Sequence, residues 1–520
     1  MNVKEIIDRS KGYRIHLVAQ GIIIGALVSF VIVLFRISLS YANTTLLKIL
    51  TFCKGSIGFI ALWFLTLAFL AYLVSKLIKA EPLISGSGIP QLEAELTGHL
   101  NSKWYKVLSY KFLGGLISLF AGLSIGREGP SIQLGSMVAK GFGQSLKRSK
   151  TEQKFLITCG ASAGLAAAFH APLAGVMFAI EEVHKHFSIS LIIAVMCSSL
   201  TSDYVLASLL GMKPVFSFVI TEPMPEEYYP ILIILGIVLG LFGVIYNNSL
   251  LKCQDILQSK YFTDYTRLLF PFLLAGVIGF IYPALLAGGE NLIKSLTLNK
   301  FSIYGLLIIL IAKFLFSIIS YSSTAPGGIF FPLLVLGSIT GAIFGQIAVD
   351  LFNVSPYLFN NFVIVAMAGL FASIVRAPLT GIILLFEMTG APTSLLSISV
   401  VAITSFIVAE LLGSKPIYES LFDKLISKDD VIINVDREKV LAEFAVSNNS
   451  YIENRQLKDV RLPKGCLIVT IYRNGFELIP NGNTTILAGD IITTVNNCDI
   501  EAETYATMVT YCQESPYSKK

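Results

Sequence analysis

Apolar residues run in long, nearly unbroken stretches through most of the chain and give way to short alternations near its end. Stretches of membrane-spanning length recur at roughly Leu17 to Phe35, Ile57 to Leu77, Val107 to Leu123, Ile189 to Leu210, Ile231 to Ile245, Leu268 to Leu286, Ile303 to Ile319 and Phe362 to Phe386, against the ~20 residues a bilayer helix needs. Glycine, proline or a charge interrupts several of them, so the number of crossings stays open. Beyond about Ser427 the segments VIINVDREKVLAEFAV, GCLIVTIYRNGFELI and TTILAGDIITTV show short β-branched alternations separated by Asn-Gly, Pro-Lys-Gly and Ala-Gly-Asp turns. The pattern predicts an all-α polytopic membrane domain over residues 1–426 and a small soluble, β-rich α+β domain over residues 427–520.

Composition sharpens the membrane reading. Of 520 residues, 54% are hydrophobic and only 14% charged, with a mean hydropathy of +0.71, more apolar surface than one soluble core can bury. The net charge of +5 follows the loops: basic clusters at Lys147, Arg148, Lys150 and Lys154, and at Lys252, Lys260 and Arg267, contrast with the acidic Glu226 and Glu227. That asymmetry predicts a cytoplasmic side for the basic loops and gives no reason to expect nucleic acid. The first sixteen residues mix Lys4, Arg9, Lys11 and Arg14 with acids and lack a small-residue cleavage site, so they read as a cytoplasmic lead-in and not as a signal peptide. Seven cysteines are scattered without metal-ligand or disulfide-framework spacing, and Cys53, Cys159 and Cys197 lie in apolar runs. They read as small hydrophobes, and no metal or cofactor is expected.

The chain also contains itself twice. AFHAPLAGVMFAIEE, Ala168 to Glu182, pairs with IVRAPLTGIILLFEM, Ile374 to Met388, which sets Glu181 opposite Glu387. GREGPSIQLGS, Gly126 to Ser136, pairs with GIFFPLLVLGS, Gly328 to Ser338, which sets Pro130 opposite Pro332. Both pairs are offset by about two hundred residues and keep the same order, predicting two related halves, at about 17–212 and 229–425. Such repeats, often inverted, build secondary transporters.

Three stretches, GSGIPQLEAEL from Gly86, GREGPSIQLGS from Gly126 and GGIFFPLLVLGS from Gly327, place glycines before a proline and an apolar helical run. Proline favours the first helical turn and glycine lets backbone approach a ligand, so each reads as a helix that begins inside the protein at membrane depth. Unpaired N–H groups and the positive end of the peptide dipole would then face a cavity, which suits an anion. Glycine–proline kinks in continuous helices are the plainer reading of any one of them.

These segments, with KPIY at Lys415 to Tyr418, resemble in order and spacing the four signature segments of the CLC chloride channel and transporter family, across roughly residues 1 to 425. The resemblance implies a CLC-like fold and a homodimer in a prokaryotic inner membrane, each subunit with its own pathway for chloride and protons. The N-terminus and the C-terminal domain would be cytoplasmic. It implies that the Ser87 hydroxyl, the Tyr418 phenol and the backbone amides of Ile329 and Phe330 hold a central chloride, with Gly86, Gly88, Gly126 and Gly129 allowing the close approach. Neutral donors of this kind suit a weakly hydrated monovalent anion. Serine in the GSGIP position resembles the chloride-preferring members, whereas proline there resembles the nitrate-favouring ones. Other readings make Ser87 a helix N-cap and Tyr418 an interfacial anchor.

By the same resemblance Glu128 is a gating and proton-exchanging carboxylate that occupies the anion's place when ionised and leaves it when protonated. Arg127 adjoins it in sequence, but adjacent helical residues do not face each other, so a simple pair between them is a poor explanation; Arg127 has another acid or carbonyls as alternatives. Glu182 aligns with the internal proton-transfer acid that exchangers of the family carry and its channels generally lack, which favours a proton-coupled exchanger; a solvated helix end beside His184, Lys185 and His186 is the plainer alternative. Glu181, matched by Glu387, reads as a helix-end acid. Lys111 matches a buried family lysine and reads either as electrostatic support or as a snorkelling side chain.

Two rival functions remain. GASAG, Gly160 to Gly164, fits the Gly-x-Ser-x-Gly nucleophile pattern around Ser162, but no strand precedes it and His170 is the one nearby base, with no orienting acid in evidence; close helix packing explains its small residues better. A passive chloride channel would share every anion-binding residue. The tail, Asn449 to Val495, resembles the TrkA-C or RCK-C type of regulatory domain, implying ligand sensing of an unidentified small molecule or dimer contact with a second subunit; a plain stabilising module is the alternative.

Overall fold

The computed structural model describes residues 3–185, 189–211, 216, 222–298, 301–390, 392–427, 439–463, 465–473, 476–497 and 507–512. Two compact units divide the chain, Met1–Asp430 and Val431–Lys520. In the first, eight α-helices run in order among the described residues: α1 (Val3–Cys53), α2 (Ile57–Ala80), α3 (Ile89–Thr97), α4 (Trp104–Phe120), α5 (Glu128–Ser145), α6 (Lys150–Phe169), α7 (Pro172–Phe178) and α8 (Ile189–Leu210). Eight more follow: α9 (Tyr229–Leu257), α10 (Asp264–Ile281), α11 (Glu290–Leu298), α12 (Ile303–Ser322), α13 (Phe330–Phe352), α14 (Phe359–Val375), α15 (Pro378–Thr389) and α16 (Leu395–Leu411). α17 (Ile417–Ile426) closes the unit.

The second set repeats the first. α3 and α11 are both nine residues long and each follows a single 3-10 turn, Pro82–Ile84 or Pro283–Leu285. Left-handed backbone recurs at matching places: Gly86 (φ 61) with Ala287 (φ 52), Gly88 (φ 90) with Gly289 (φ 92), Gly122 (φ 89) with Thr324 (φ 67), and His170 (φ 54) with Arg376 (φ 70). The halves are stitched where their symmetry-related residues meet. Gly126 and Gly328 exchange both backbone hydrogen bonds, at 2.6 and 2.8 Å, as an isolated antiparallel bridge. Antiparallel contact of equivalent residues requires a two-fold axis lying across the chain direction, so the halves meet with opposite sense.

Among the described residues, eight helical segments are long and apolar enough to cross a membrane, and they differ from the sequence expectation in four places. Val107 to Leu123 falls mostly in α4, which ends at Phe120 and at 17 residues is not one of the eight. Phe330–Phe352 qualifies although the sequence pattern marked only its start. Phe362 to Phe386 is two helices, because Arg376 turns left-handed as the cap of α14 and Pro378 opens α15. The span in α1 also extends well beyond Phe35, to Cys53.

α14 is buried along almost its whole length, whereas α2 presents Leu62, Leu65 and Phe69 outward, the apolar surface expected toward lipid. Small residues bring the inner helices into backbone contact. A Cβ on Gly160 or Gly164 would collide with the Gly135 or Ser131 carbonyl of α5, and one on Gly341 with the Phe362 carbonyl of α14. GASAG is therefore part of the α5–α6 seam.

The second unit holds an antiparallel sheet of β1 (Lys439–Ala445), β2 (Cys466–Arg473), β3 (Phe476–Leu478) and β4 (Ile491–Asn497), in the order β1-β4-β2-β3. One face packs Phe444, Ile468, Ile471 and Ile492 against Met508 and Cys512 of a short helix at 507–512. Arg473 donates from Nε and Nη2 to Asp490 at 2.7 Å each, securing the turn into β4. The Asn-Gly turn at 474–475 lies outside the described residues.

Candidate functional site

Three interrupted helix starts meet at Gly129. Its missing side chain lets α5 pass close to the end of the GSGIP loop: a Cβ there would lie 2.6 Å from the Ser87 carbonyl oxygen, and one on Gly328 would lie 3.1 Å from the Gly129 nitrogen. Gly88 caps α3 in left-handed backbone with Pro90 in its first turn, while Ile329 caps α13, whose first N–H groups have no intrahelical acceptor. The starts at Pro90, Pro130 and Pro332 are thus true helix beginnings inside the protein, as the glycine–proline pattern predicts.

Ser87 is buried. Its Oγ accepts from the Ile89 N–H at 3.3 Å and from the Tyr321 hydroxyl at 3.5 Å, which leaves its own proton free to donate. The N-cap of α3 is Gly88, with no side-chain cap, so Ser87 stands one residue before the cap and keeps its donor. Tyr418, in the first turn of α17, is fully buried with no partner for its hydroxyl among the described residues; an interfacial anchor would not be sealed in this way. Tyr321, Glu182, Glu128 and Tyr246 all act on it electrostatically. Phe330 points its ring into an aromatic cluster with Phe169 and Phe371, at centroid distances of 5.1 and 4.5 Å, so only its amide is left to serve a ligand.

Lys111 does not snorkel. It is fully buried and donates to the carbonyls of Ile84 and Gly86 at 2.9 and 2.8 Å, fixing the loop that presents Ser87. Lys313 does the same in the second repeat, to Leu285 and Ala287 at 2.8 and 3.0 Å. Its signal was present in the sequence, because AKFL at Ala312 matches YKFL at Tyr110.

Glu128 opens α5 and is fully buried. Among the described residues no side chain bonds its carboxylate oxygens; the backbone amides of Glu128 and Phe331 and the Arg127 guanidinium act on it instead. It borders a cavity of about 160 Å³ with Arg127, Glu290, Gly288, Gly289 and Phe331. Arg127 reaches across the repeat boundary to Glu290, Nη2 to Oε1 2.9 Å, so its partner is an acid of the other half. A separate cavity of about 440 Å³ reaches Ser87 and Tyr321 past Lys79, Arg267 and Lys424. The two cavities share no lining residue; the three helix starts lie between them.

The voltage gated chloride channel family model matches residues 66–410. The chain belongs to that family. A TrkA-C domain matches residues 441–495. Among solved structures, a slow cyanobacterial Cl-/H+ antiporter is 30% identical with a TM-score of 0.75, over 80% of this chain and 99% of that one. A eukaryotic CLC transporter (21% identity, TM-score 0.68, 80% of this chain and 74% of that one) and a CLC-type fluoride/proton antiporter (20%, 0.63, 78% and 96%) share the fold.

In this CLC protein the paired glutamates of the repeats are caps. Glu181 accepts from the N–H groups of Leu379 and Thr380 at 3.2 and 2.8 Å, at the start of α15. Glu387 accepts from Leu173 and Ala174 at 3.0 and 2.8 Å, at the start of α7. Each half thus closes the short helix of the other, with a carboxylate at the positive end of the peptide dipole. Glu182 is different. It sits in a π turn, Ala179–His184, where α15 stays regular, and π turns concentrate at functional places. Rather than being solvated, it is buried, in a charged group with Lys185, Glu93, Glu181 and Glu419; Lys185 Nζ lies 2.5 Å from Glu93.

One point of the hydrolase reading changes: His170 does have an orienting acid, Asp203, at 3.1 Å. Ser162, as the lack of a preceding strand predicts, lies within α6 and not on a strand-to-helix turn, fully buried, with no partner for its hydroxyl among the described residues.

Proposed function

We propose that this protein exchanges chloride for protons across a prokaryotic inner membrane, with its N-terminus and C-terminal domain in the cytoplasm. The cavity at Ser87 is bordered by Arg267, one of the basic-loop residues, and so is assigned to the cytoplasmic side; the cavity at Glu128 opens outward. Ser87, Tyr418 and the amides of Ile329 and Phe330 form the anion site. The single observation that carries the reading is the Glu128 carboxylate, buried at a helix start where, among the described residues, no side chain bonds it and only backbone amides and the Arg127 guanidinium act on it. Charge at membrane depth costs ~2.5 to 3.5 kcal/mol on insertion scales, and helix ends return only ~0.3 to 2 kcal/mol each. An ionised Glu128 therefore competes with chloride for the same weak donors, and a protonated one yields to it. Weak, shared donors also let the ion leave, which conduction demands.

Glu182, buried on the side facing α3 and α17, receives the proton in this scheme. Similarity to the cyanobacterial antiporter supports exchange over passive conduction. The same reading makes the protein a homodimer and its TrkA-C unit a regulatory module for a small ligand. Reconstituted liposomes test the exchange: an imposed chloride gradient should drive protons uphill, and Glu182→Gln should stop the protons while chloride flux persists. Chloride movement without proton movement in the wild type would establish a channel instead.

A further inference from the structure

We infer that Glu290, the first residue of α11, is a positioning residue of the outer gate: its carboxylate holds the Arg127 guanidinium across the repeat boundary and thereby sets the external pH at which Glu128 yields to chloride. The inference rests on the reading of Glu128 as the gate.

The pair is short, 2.9 Å, and its two members differ in exposure, the Arg127 side chain at 18% and the Glu290 side chain at 41%. Solution reaches the acid more readily than the base. Both line the small cavity that contains Glu128, and Arg127 adjoins the gate in the chain. Arg127 Nε is buried without an acceptor, so among the described residues the guanidinium is held by Glu290 alone. A cation left free there has one other carboxylate lining the same cavity, the gate itself.

The repeats supply an internal control. The counterpart of Glu290 is Ile89, the first residue of α3, and the counterpart of Arg127 is Ile329. α3 forms over the same nine residues with no acid at its first position. The shared skeleton therefore does not need this ion pair; it stands only beside Glu128, in the half of the junction where a gate is present.

The charged neighbours are few. Arg36 of α1 acts on Arg127, Glu290 and Asp203 and donates to the Ala167 carbonyl at 2.9 Å. His170, capping α6, is paired with Asp203 of α8. Lys48 of α1 and His170 join Arg36, Arg127 and Glu290 around the wider outer cavity. Glu128 faces Arg127 from its own helix and Glu290 from α11, and it acts in turn on Tyr418 of α17.

The sign follows from charge. With Glu290 neutralised, Arg127 favours the ionised, blocking form of Glu128, and more acid is needed to open it. The test measures chloride flux in liposomes against external pH. Glu290→Gln should move the midpoint to lower pH by roughly one unit, the low end of what a neighbouring charge does. Arg127→Gln should move it the other way, the double variant should return close to wild type, and Glu290→Asp should stay near wild type. The Glu290→Gln displacement should persist in a His170→Gln background. A residue that merely starts α11 would change yield or rate and leave the midpoint in place. An unmoved midpoint in Glu290→Gln, with pH dependence lost in Glu128→Gln, overturns this inference alone. PH dependence that survives in Glu128→Gln overturns the gate reading and this inference with it.

Discussion

Laid over one another, the two repeats agree wherever backbone has to be held and disagree wherever chemistry is proposed. Lys111 and Lys313 each bind two carbonyls of the preceding loop, Glu181 and Glu387 cap each other's helices, and Gly126 meets Gly328. Ser87, Arg127, Glu128 and Glu182 face Gly288, Ile329, Phe330 and Met388 at the equivalent positions. Tyr321 likewise faces Leu119. A symmetric frame brings two sets of helix ends to one point, and one half then replaces apolar residues with the proposed gate and proton acceptor. Symmetry thus separates groups that support the site from groups proposed to act in it.

The widest separation is expected between Glu128 and Phe330. Phe330→Ala keeps the amide and removes a ring from the buried aromatic cluster. It should cost ~3 to 5 kcal/mol of stability in detergent unfolding while the chloride-to-proton ratio stays unchanged. An altered ratio would mean that the ring, and not only its amide, belongs to the transport machinery. A smaller effect is expected at the caps. Glu181→Gln weakens three charged hydrogen bonds, from the Leu379 and Thr380 N–H groups and the Thr380 hydroxyl, and Glu387→Gln two; hydrogen bonds to charged groups are worth ~1.5 to 3 kcal/mol. The two variants should lose similar stability and keep proton coupling, in contrast to Glu182→Gln one residue away. Loss of coupling in Glu181→Gln would erase the distinction drawn between the neighbours.

The glycine–proline starts were legible because a helix that begins inside the membrane leaves a local mark: glycines for the approach, proline in the first turn. Pro90, Pro130 and Pro332 all stand where that mark puts them. The two-repeat organisation and the β-rich tail were legible for similar reasons, as short-range pattern. The Arg127–Glu290 pair and the reciprocal caps were not, since each joins residues far apart in the chain that only the stacking of one repeat on the other brings together. The π turn at Glu182 also escaped the sequence, which shows a glutamate pair but not an extra residue in the turn. The Phe362 to Phe386 run looked continuous because Arg376 and Pro378 interrupt apolar texture too briefly to end it by composition. Tyr321 had no signal at all, because its repeat partner is Leu119 and its use depends on the distance to Ser87.

Chloride titration by calorimetry on the purified wild type and on Glu128→Gln tests the competition between carboxylate and anion most directly. The account expects wild-type affinity to rise as pH falls, and the Gln variant to bind more tightly than the wild type at neutral pH with little dependence on pH. Equal affinities with the same pH dependence, or no binding heat in either protein, would contradict it.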